Sequence, residues 1–130
     1  MEKVNIGIIT PIRKLRFAYR TIFSEHIQSP ARIVIEGPSI ESISSNSCLS
    51  KAELLLLDYR LVYKNTALFF SLTNSYFTSS PIFLLVNQNE FSEAQRCKAY
   101  VHLFVTPDSD IMELFSQIRN FPKSALLQSR

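Results

Sequence analysis

Four consecutive leucines, Leu54 to Leu57, lead without a polar break into one carboxylate, Asp58. A strand that reads as continuous hydrophobics is buried on both faces, which is the condition of strands inside a parallel sheet. In open sheets of that kind, ligands gather outside the carboxyl ends of the strands. Asp58 is thereby predicted at the chemically active edge of an α/β fold. The rest of the chain decides whether a site surrounds it.

Val4 to Ile9 is a short β-branched run stopped by Thr10-Pro11, where proline cannot donate to a sheet. From there Ile12, Leu15, Tyr19, Ile22, Phe23 and Ile27 recur at three- and four-residue spacing, with Arg13, Arg16 and Arg20 on another face, so an amphipathic helix is predicted. Ser29-Pro30 ends it. Ala31 to Glu36 reads as a second strand closed by Gly37-Pro38, and Ser39 offers a cap to a short, poorly favoured helix in the Ser- and Asn-rich segment Ile40 to Leu49. Beyond Asp58 come a polar loop around Tyr63-Lys64-Asn65, a helix through Ala67 to Leu72 broken at Ser79-Ser80-Pro81, and a buried strand from Pro81 to Val86. The polar cluster Asn87-Gln88-Asn89-Glu90 separates that strand from a helix beginning at Ser92 and passing through Ala94, Cys97 and Lys98. Val101 to Val105, including His102, is the fifth strand, and Asp108 to Asn120 is an amphipathic last helix ended by Phe121-Pro122.

Five strands alternating with five helices predict a doubly wound, five-stranded parallel sheet, because parallel neighbours need crossovers and those crossovers are right-handed helices. The order 2-1-3-4-5, flavodoxin-like, is the common solution at a length of 130 residues. One domain is expected over residues 1–122, with 123–130 as a linker or tail.

Charge, cysteine and glycine usage remove several classes of function. Lys and Arg total 14 against 11 acidic residues, a formal charge of +3 that would not by itself hold a nucleic acid. Cys48 and Cys97 are isolated from each other and from His26 and His102, so neither a disulfide framework, a metal site nor a cysteine nucleophile is predicted. Gly7 and Gly37 are the only glycines, too few for the phosphate cradles of dinucleotide-binding or P-loop proteins. Thr10-Pro11-Ile12-Arg13 is too apolar and too basic for a flavin loop. No catalytic residue, metal or cofactor is expected. No apolar stretch reaches the roughly 18 residues of a membrane span, and Met1-Glu2-Lys3 leads straight into a strand, so a soluble cytoplasmic protein is expected.

Leu54-Leu55-Leu56-Leu57-Asp58-Tyr59-Arg60-Leu61, together with the order and spacing of the ten elements, resembles the receiver domains of bacterial response regulators, most closely those that precede a LuxR-type helix-turn-helix. The resemblance covers about residues 4–121. It implies Asp58 as the equivalent of the phosphoacceptor. A working receiver also uses two acidic residues after the first strand to hold Mg²⁺, a Thr or Ser after the fourth strand and a Lys after the fifth. Here Thr10 and Pro11 occupy the acidic-pair positions, and no Asp or Glu lies between Lys3 and Ser24. The Thr or Ser position falls at Val86 or Asn87, and the Lys position at Val105 or Thr106, with no lysine between Ala99 and Pro122.

These replacements act through charge. Mg²⁺ is anchored by one or two carboxylates plus phosphate oxygens, and Asp58 alone is a poor anchor. Phosphorylation brings negative charge up to an anionic nucleophile, and without a cation little offsets the repulsion. The expectation is a degenerate receiver, a phosphorylation-independent and non-enzymatic regulatory and dimerisation module, in which Asp58 caps the following loop or pairs with Arg13 or Lys14. Glu36 reads as a solvated loop acid. The alternative is an active receiver phosphorylated on Asp58 by a histidine kinase, the one case that requires Mg²⁺. A third reading, from another class, is a small flavodoxin-like enzyme or ligand-binding domain. The stripe Arg13, Arg16 and Arg20 is either a solvated helix face or a docking face for a histidine kinase or phosphotransfer protein. The resemblance further implies a homodimer through the last strand and helix, and DNA contact only through a separate C-terminal domain, since no helix-turn-helix pattern occurs in these residues.

Overall fold

The computed structural model describes residues 3–43, 51–63, 66–76 and 80–128. Strands β1 (Val4–Ile9), β2 (Ala31–Gly37), β3 (Leu54–Asp58), β4 (Ile82–Leu85) and β5 (Leu103–Val105) form one parallel sheet in the order β2-β1-β3-β4-β5. This is the predicted architecture and strand order. Helices α1 (Arg13–Glu25), α2 (Ile40–Ile43), α3 (Thr66–Tyr76), α4 (Phe91–Ala94) and α5 (Ile111–Gln128) cover its two faces.

The alternation of strand residues sorts the core into two layers. Ile6, Ile8, Leu54, Leu56 and Phe83 face α1 and α5, meeting Tyr19, Phe23, Leu114, Phe115 and Ile118. Ile9, Leu55, Leu57, Ile82 and Leu84 face the other way, against Ile40, Phe70, Ala94 and Cys97. Every residue of β3 is buried, as a strand at the centre of a two-sided sheet must be. Beside it, Gly7 leaves room for its neighbours: a Cβ there would lie 2.9 Å from both Ile35 Cγ2 and Leu55 Cδ2.

β2 carries a bulge. Ile6 pairs with Ile33 and Gly7 with Ile35, so Val34 has no counterpart in β1. The extra residue reverses the alternation, because Ala31 and Ile33 belong to the α1/α5 layer whereas Val34 and Ile35 pack in the opposite one. Glu36 is consequently returned to the α1 side, where its carboxylate pairs with Arg20. It lies within β2 and is not the solvated loop acid expected.

Several element limits differ from expectation. α1 stops at Glu25, where the His26 N–H bonds back to the Ile22 carbonyl, and Ile27 falls in the turn to β2, 96% exposed instead of on the buried stripe. The polar cluster after β4 is helical: Gln88–Glu90 forms a 3-10 turn because the Glu90 carboxylate accepts the Asn87 N–H while the Glu90 N–H reaches the Asn87 carbonyl. One α-turn, α4, and a second 3-10 stretch, Gln95–Tyr100, replace the regular helix predicted from Ser92. β5 is only three residues long, and His102 precedes it, its backbone N–H donating to Ile82 O and its Nδ1 accepting the Ile82 N–H. α5 continues through Pro122 to Gln128. Proline removes one backbone donor, but Ala125, Leu126 and Leu127 beyond it are strong helix formers and carry the helix on. Cys48 and the Lys64-Asn65 part of the predicted polar loop lie outside the described residues.

Candidate functional site

Asp58 ends β3, Thr10 follows directly on the neighbouring β1, and the two side chains meet on the α1/α5 side, both essentially without solvent contact. Their proximity results from the register, in which Ile8 opposes Leu56 and Ile9 opposes Leu57, so the next pair outward closes over the strand ends. The Thr10 hydroxyl donates to Asp58 Oδ2 at 2.5 Å. A second donor comes from the chain just ahead: Arg60 Nη1 reaches the same oxygen at 2.9 Å, and the Arg60 backbone N–H donates to Oδ1 at 2.8 Å. Asp58 is thus the cap of the 3-10 turn Tyr59–Leu61 and one half of an internal ion pair. A buried carboxylate left unpaired would be costly, and these three donors offset that cost.

The site extends one step further along β1. Thr10 Oγ1 also accepts the Ile12 N–H, and Arg16 Nη1 donates to the Thr10 carbonyl at 2.6 Å. Tyr19, one turn further into α1, is buried close enough to Asp58 that its phenol pKa is pushed up to about 12, by desolvation first and by the aspartate charge second.

The sequence-predicted positions are only partly brought together. Thr10 and Asp58 meet; Pro11 sits exposed beside them. Asn87 follows β4 and is tied to Glu90. Thr106 follows β5, with its hydroxyl 2.6 Å from Ser109 Oγ. The expected partner of Asp58 is corrected: the cation is Arg60, not Arg13 or Lys14, because the tight turn after β3 folds residue 60 back over the strand end. Of the arginine stripe, Arg16 is engaged with Thr10 and Arg20 with Glu36, while Arg13 is exposed. Arg60 and the hydroxyl of Thr10 were the residues that sequence reasoning missed. An Asp-x-Arg spacing at the end of a buried strand is the signal that could have found the first.

On the opposite layer, the residue between Asp58 and Arg60 is buried without satisfaction. The Tyr59 hydroxyl has no partner in hydrogen-bond geometry, although the Arg96 guanidinium lies 6.0 Å from its ring centroid, and burial raises its pKa. Among the described residues no group of three or more His, Cys, Asp or Glu side chains is arranged to hold a metal ion. None of their helices is long and apolar enough to cross a membrane.

No protein-family model and no curated protein matches the sequence. Solved structures do match. The REC domain of AraT, a response regulator from Geobacillus stearothermophilus, superposes with a TM-score of 0.74 at 12% identity, covering 98% of this chain and 98% of that one. The response regulator RcsB of Salmonella typhimurium gives 0.75 at 16% identity, covering 95% of this chain and 61% of that chain. A structure of adenylate cyclase from Rhodopirellula baltica gives 0.71 at 12% identity over 98% of this chain and 93% of that one. The fold is that of response-regulator receiver domains, and at these identities it is the fold alone that is shared.

Proposed function

We propose that this chain is a receiver-type regulatory module of the bacterial two-component kind that works in the cytoplasm without aspartyl phosphorylation. One observation carries the reading: the carboxylate at the phosphoacceptor position is already neutralised by Arg60 and hydrogen-bonded by Thr10, and the segment after β1 brings no Asp or Glu to stand beside it. A phosphoryl group would have to displace the guanidinium from Oδ2 and find a divalent ion that a lone, paired carboxylate holds poorly. In this reading Asp58 is a structural anion that fixes the β3–α3 turn, and regulation passes through association. Tyr100, Met112 and Phe91, all substantially exposed near β5 and the start of α5, supply apolar surface for a homodimer. The exposed Arg13 and Lys14 face is open to an acidic partner such as a phosphotransfer protein, and DNA contact belongs to a separate domain.

Beryllofluoride with Mg²⁺ is the test. The amides of Thr10, Asp58 and Arg60 should not shift on its addition. Saturable shifts there, abolished by Asp58→Asn, would mean an active phosphoacceptor and overturn the proposal. Sedimentation at micromolar concentration should show a dimer without any phosphoryl donor.

A further inference from the structure

We infer that copies of this chain associate head to tail, the α1–β2 turn of one copy entering the groove between β5 and α5 of the next. This rests on the reading above that regulation passes through association, and it names the two surfaces that meet. The first is an aliphatic knob between two cations. Ile27, 96% exposed, is the most exposed large apolar side chain among the described residues. The turn that carries it is tied down on several sides: the Ser29 N–H donates to the His26 carbonyl, the Gln28 N–H to His26 Nδ1, and Arg119 Nη2 of α5 to the Gln28 carbonyl. The His26 ring also rests edge-on against Phe115. A turn so anchored loses little freedom when a partner covers it. Ile27 lines a depression of about 350 Å³ together with Lys3, Gln28, Ser29 and Arg119. Both charges there are positive, and neither makes an ion pair among the described residues. Glu25, the closest acid in sequence, does not line it.

The second surface is opposite in shape and in charge. At the open edge of the sheet a groove of about 200 Å³ is lined by Leu103, Phe104, Val105 and Leu114, with Glu113 on its wall. A cavity of about 150 Å³ accommodates benzene, so the four-carbon side chain of an isoleucine fits. Asp108 and Asp110 flank Ser109, another residue of the wall, and with Glu113 they make three exposed carboxylates. None of the three makes an ion pair among the described residues, and no Lys or Arg occurs between Ala99 and Ile118. Phe91 meets Phe104 at 5.7 Å and Met112 adjoins Glu113, so exposed apolar surface continues outward from the groove. Seating Ile27 there brings Lys3 and Arg119 toward the carboxylates, which steers the encounter and fixes its polarity. The turn precedes β2 and the acidic loop follows β5, at opposite ends of a parallel sheet, so the two cannot meet within one chain. Knob against knob sets cations together and groove against groove sets carboxylates together, so the contact is heterologous.

Sedimentation velocity of the full chain over a micromolar concentration series tests this. Ile27→Ser removes the knob without disturbing the core, and should weaken association about tenfold or more, the consequence of an aliphatic side chain no longer buried. Lys3→Glu with Arg119→Glu, and separately Asp108→Lys with Glu113→Lys, should each leave only monomer. Asp110 is kept because its carboxylate accepts the Met112 N–H at the start of α5. Mixing the two doubly substituted chains should restore the dimer, since every surface then meets its opposite. A dimer that persists unchanged in all these variants would overturn the head-to-tail contact and leave association through Tyr100, Met112 and Phe91 standing. So would doubly substituted chains that stay monomeric when mixed. A parent chain that is monomeric throughout the series would remove the association reading itself, and this contact with it.

Discussion

The two faces of the sheet are built differently. The face that carries Thr10 and Asp58 is closed by α1 and α5, both long and regular, and its core is dense with rings: Phe23 and Phe115 lie 5.8 Å apart, and His26 meets Phe115 edge-on at 5.0 Å. The opposite face is covered by the eleven-residue α3 together with shorter pieces, a four-residue α4 and two 3-10 stretches, and it buries the unsatisfied hydroxyl of Tyr59. The contrast separates a scaffold from a part able to rearrange. Long helices with interlocked rings fix the charged site in one geometry, whereas short turns with exposed aromatics such as Tyr100 have few buried contacts to lose on opening.

The largest effect should come from the scaffold. Phe115→Ala is expected to cost about 3–5 kcal/mol in urea denaturation, because its ring is wholly enclosed. Phe70→Ala on the other face should cost clearly less, since Phe70 stacks at 4.7 Å on Tyr100, which is itself exposed and lets water fill the space. Equal losses would break the contrast between the faces.

Alkaline stability comes next. With its phenol pKa at about 12 against an ordinary 10.0, Tyr19 keeps a proton in the native state that the unfolded chain has already released. Stability is therefore full below pH 10 and falls as pH rises toward 12, by up to about 3 kcal/mol. Tyr19→Phe should remove this slope, measured as melting temperature against pH.

Thr10→Val should cost about 1–3 kcal/mol, because it deletes a donor to a buried carboxylate and the acceptor for the Ile12 N–H. Thermal melts of the variant check it, and a melting point equal to the parent's would show the site to be less constrained than its hydrogen bonds imply. The smallest effect sharpens the comparison from the other side. Tyr59→Phe removes a hydroxyl that has no partner, so stability should change by no more than about 0.5 kcal/mol or rise slightly.

How far the architecture could be read in advance depended on the kind of signal. β3 was legible because a strand buried on both faces has no polar alternation to confuse it, and the five apolar runs spaced by helical periods left one economical topology. The short helices after β4 were not legible: Asn87 and Glu90 lie three apart, which is a capping distance, yet the polar cluster read as loop. The bulge in β2 was invisible because Ile33-Val34-Ile35 is apolar throughout and shows no break in pattern when one residue is left unpaired. At the site, the strand end announced Asp58 and the replacements at Thr10 and Pro11 were plain. Its cation was not, since a residue two positions away in sequence meets the carboxylate only through a turn that no periodicity encodes.

The unpaired Val34 gives the outer strand slack in its frame. Deleting that one residue would restore an unbroken pleat in which Ile35 still opposes Gly7 on its present layer and Glu36 still faces Arg20. Losing one residue here should therefore be tolerated better than losing one leucine from β3, which has no spare residue and would carry Asp58 to the opposite layer.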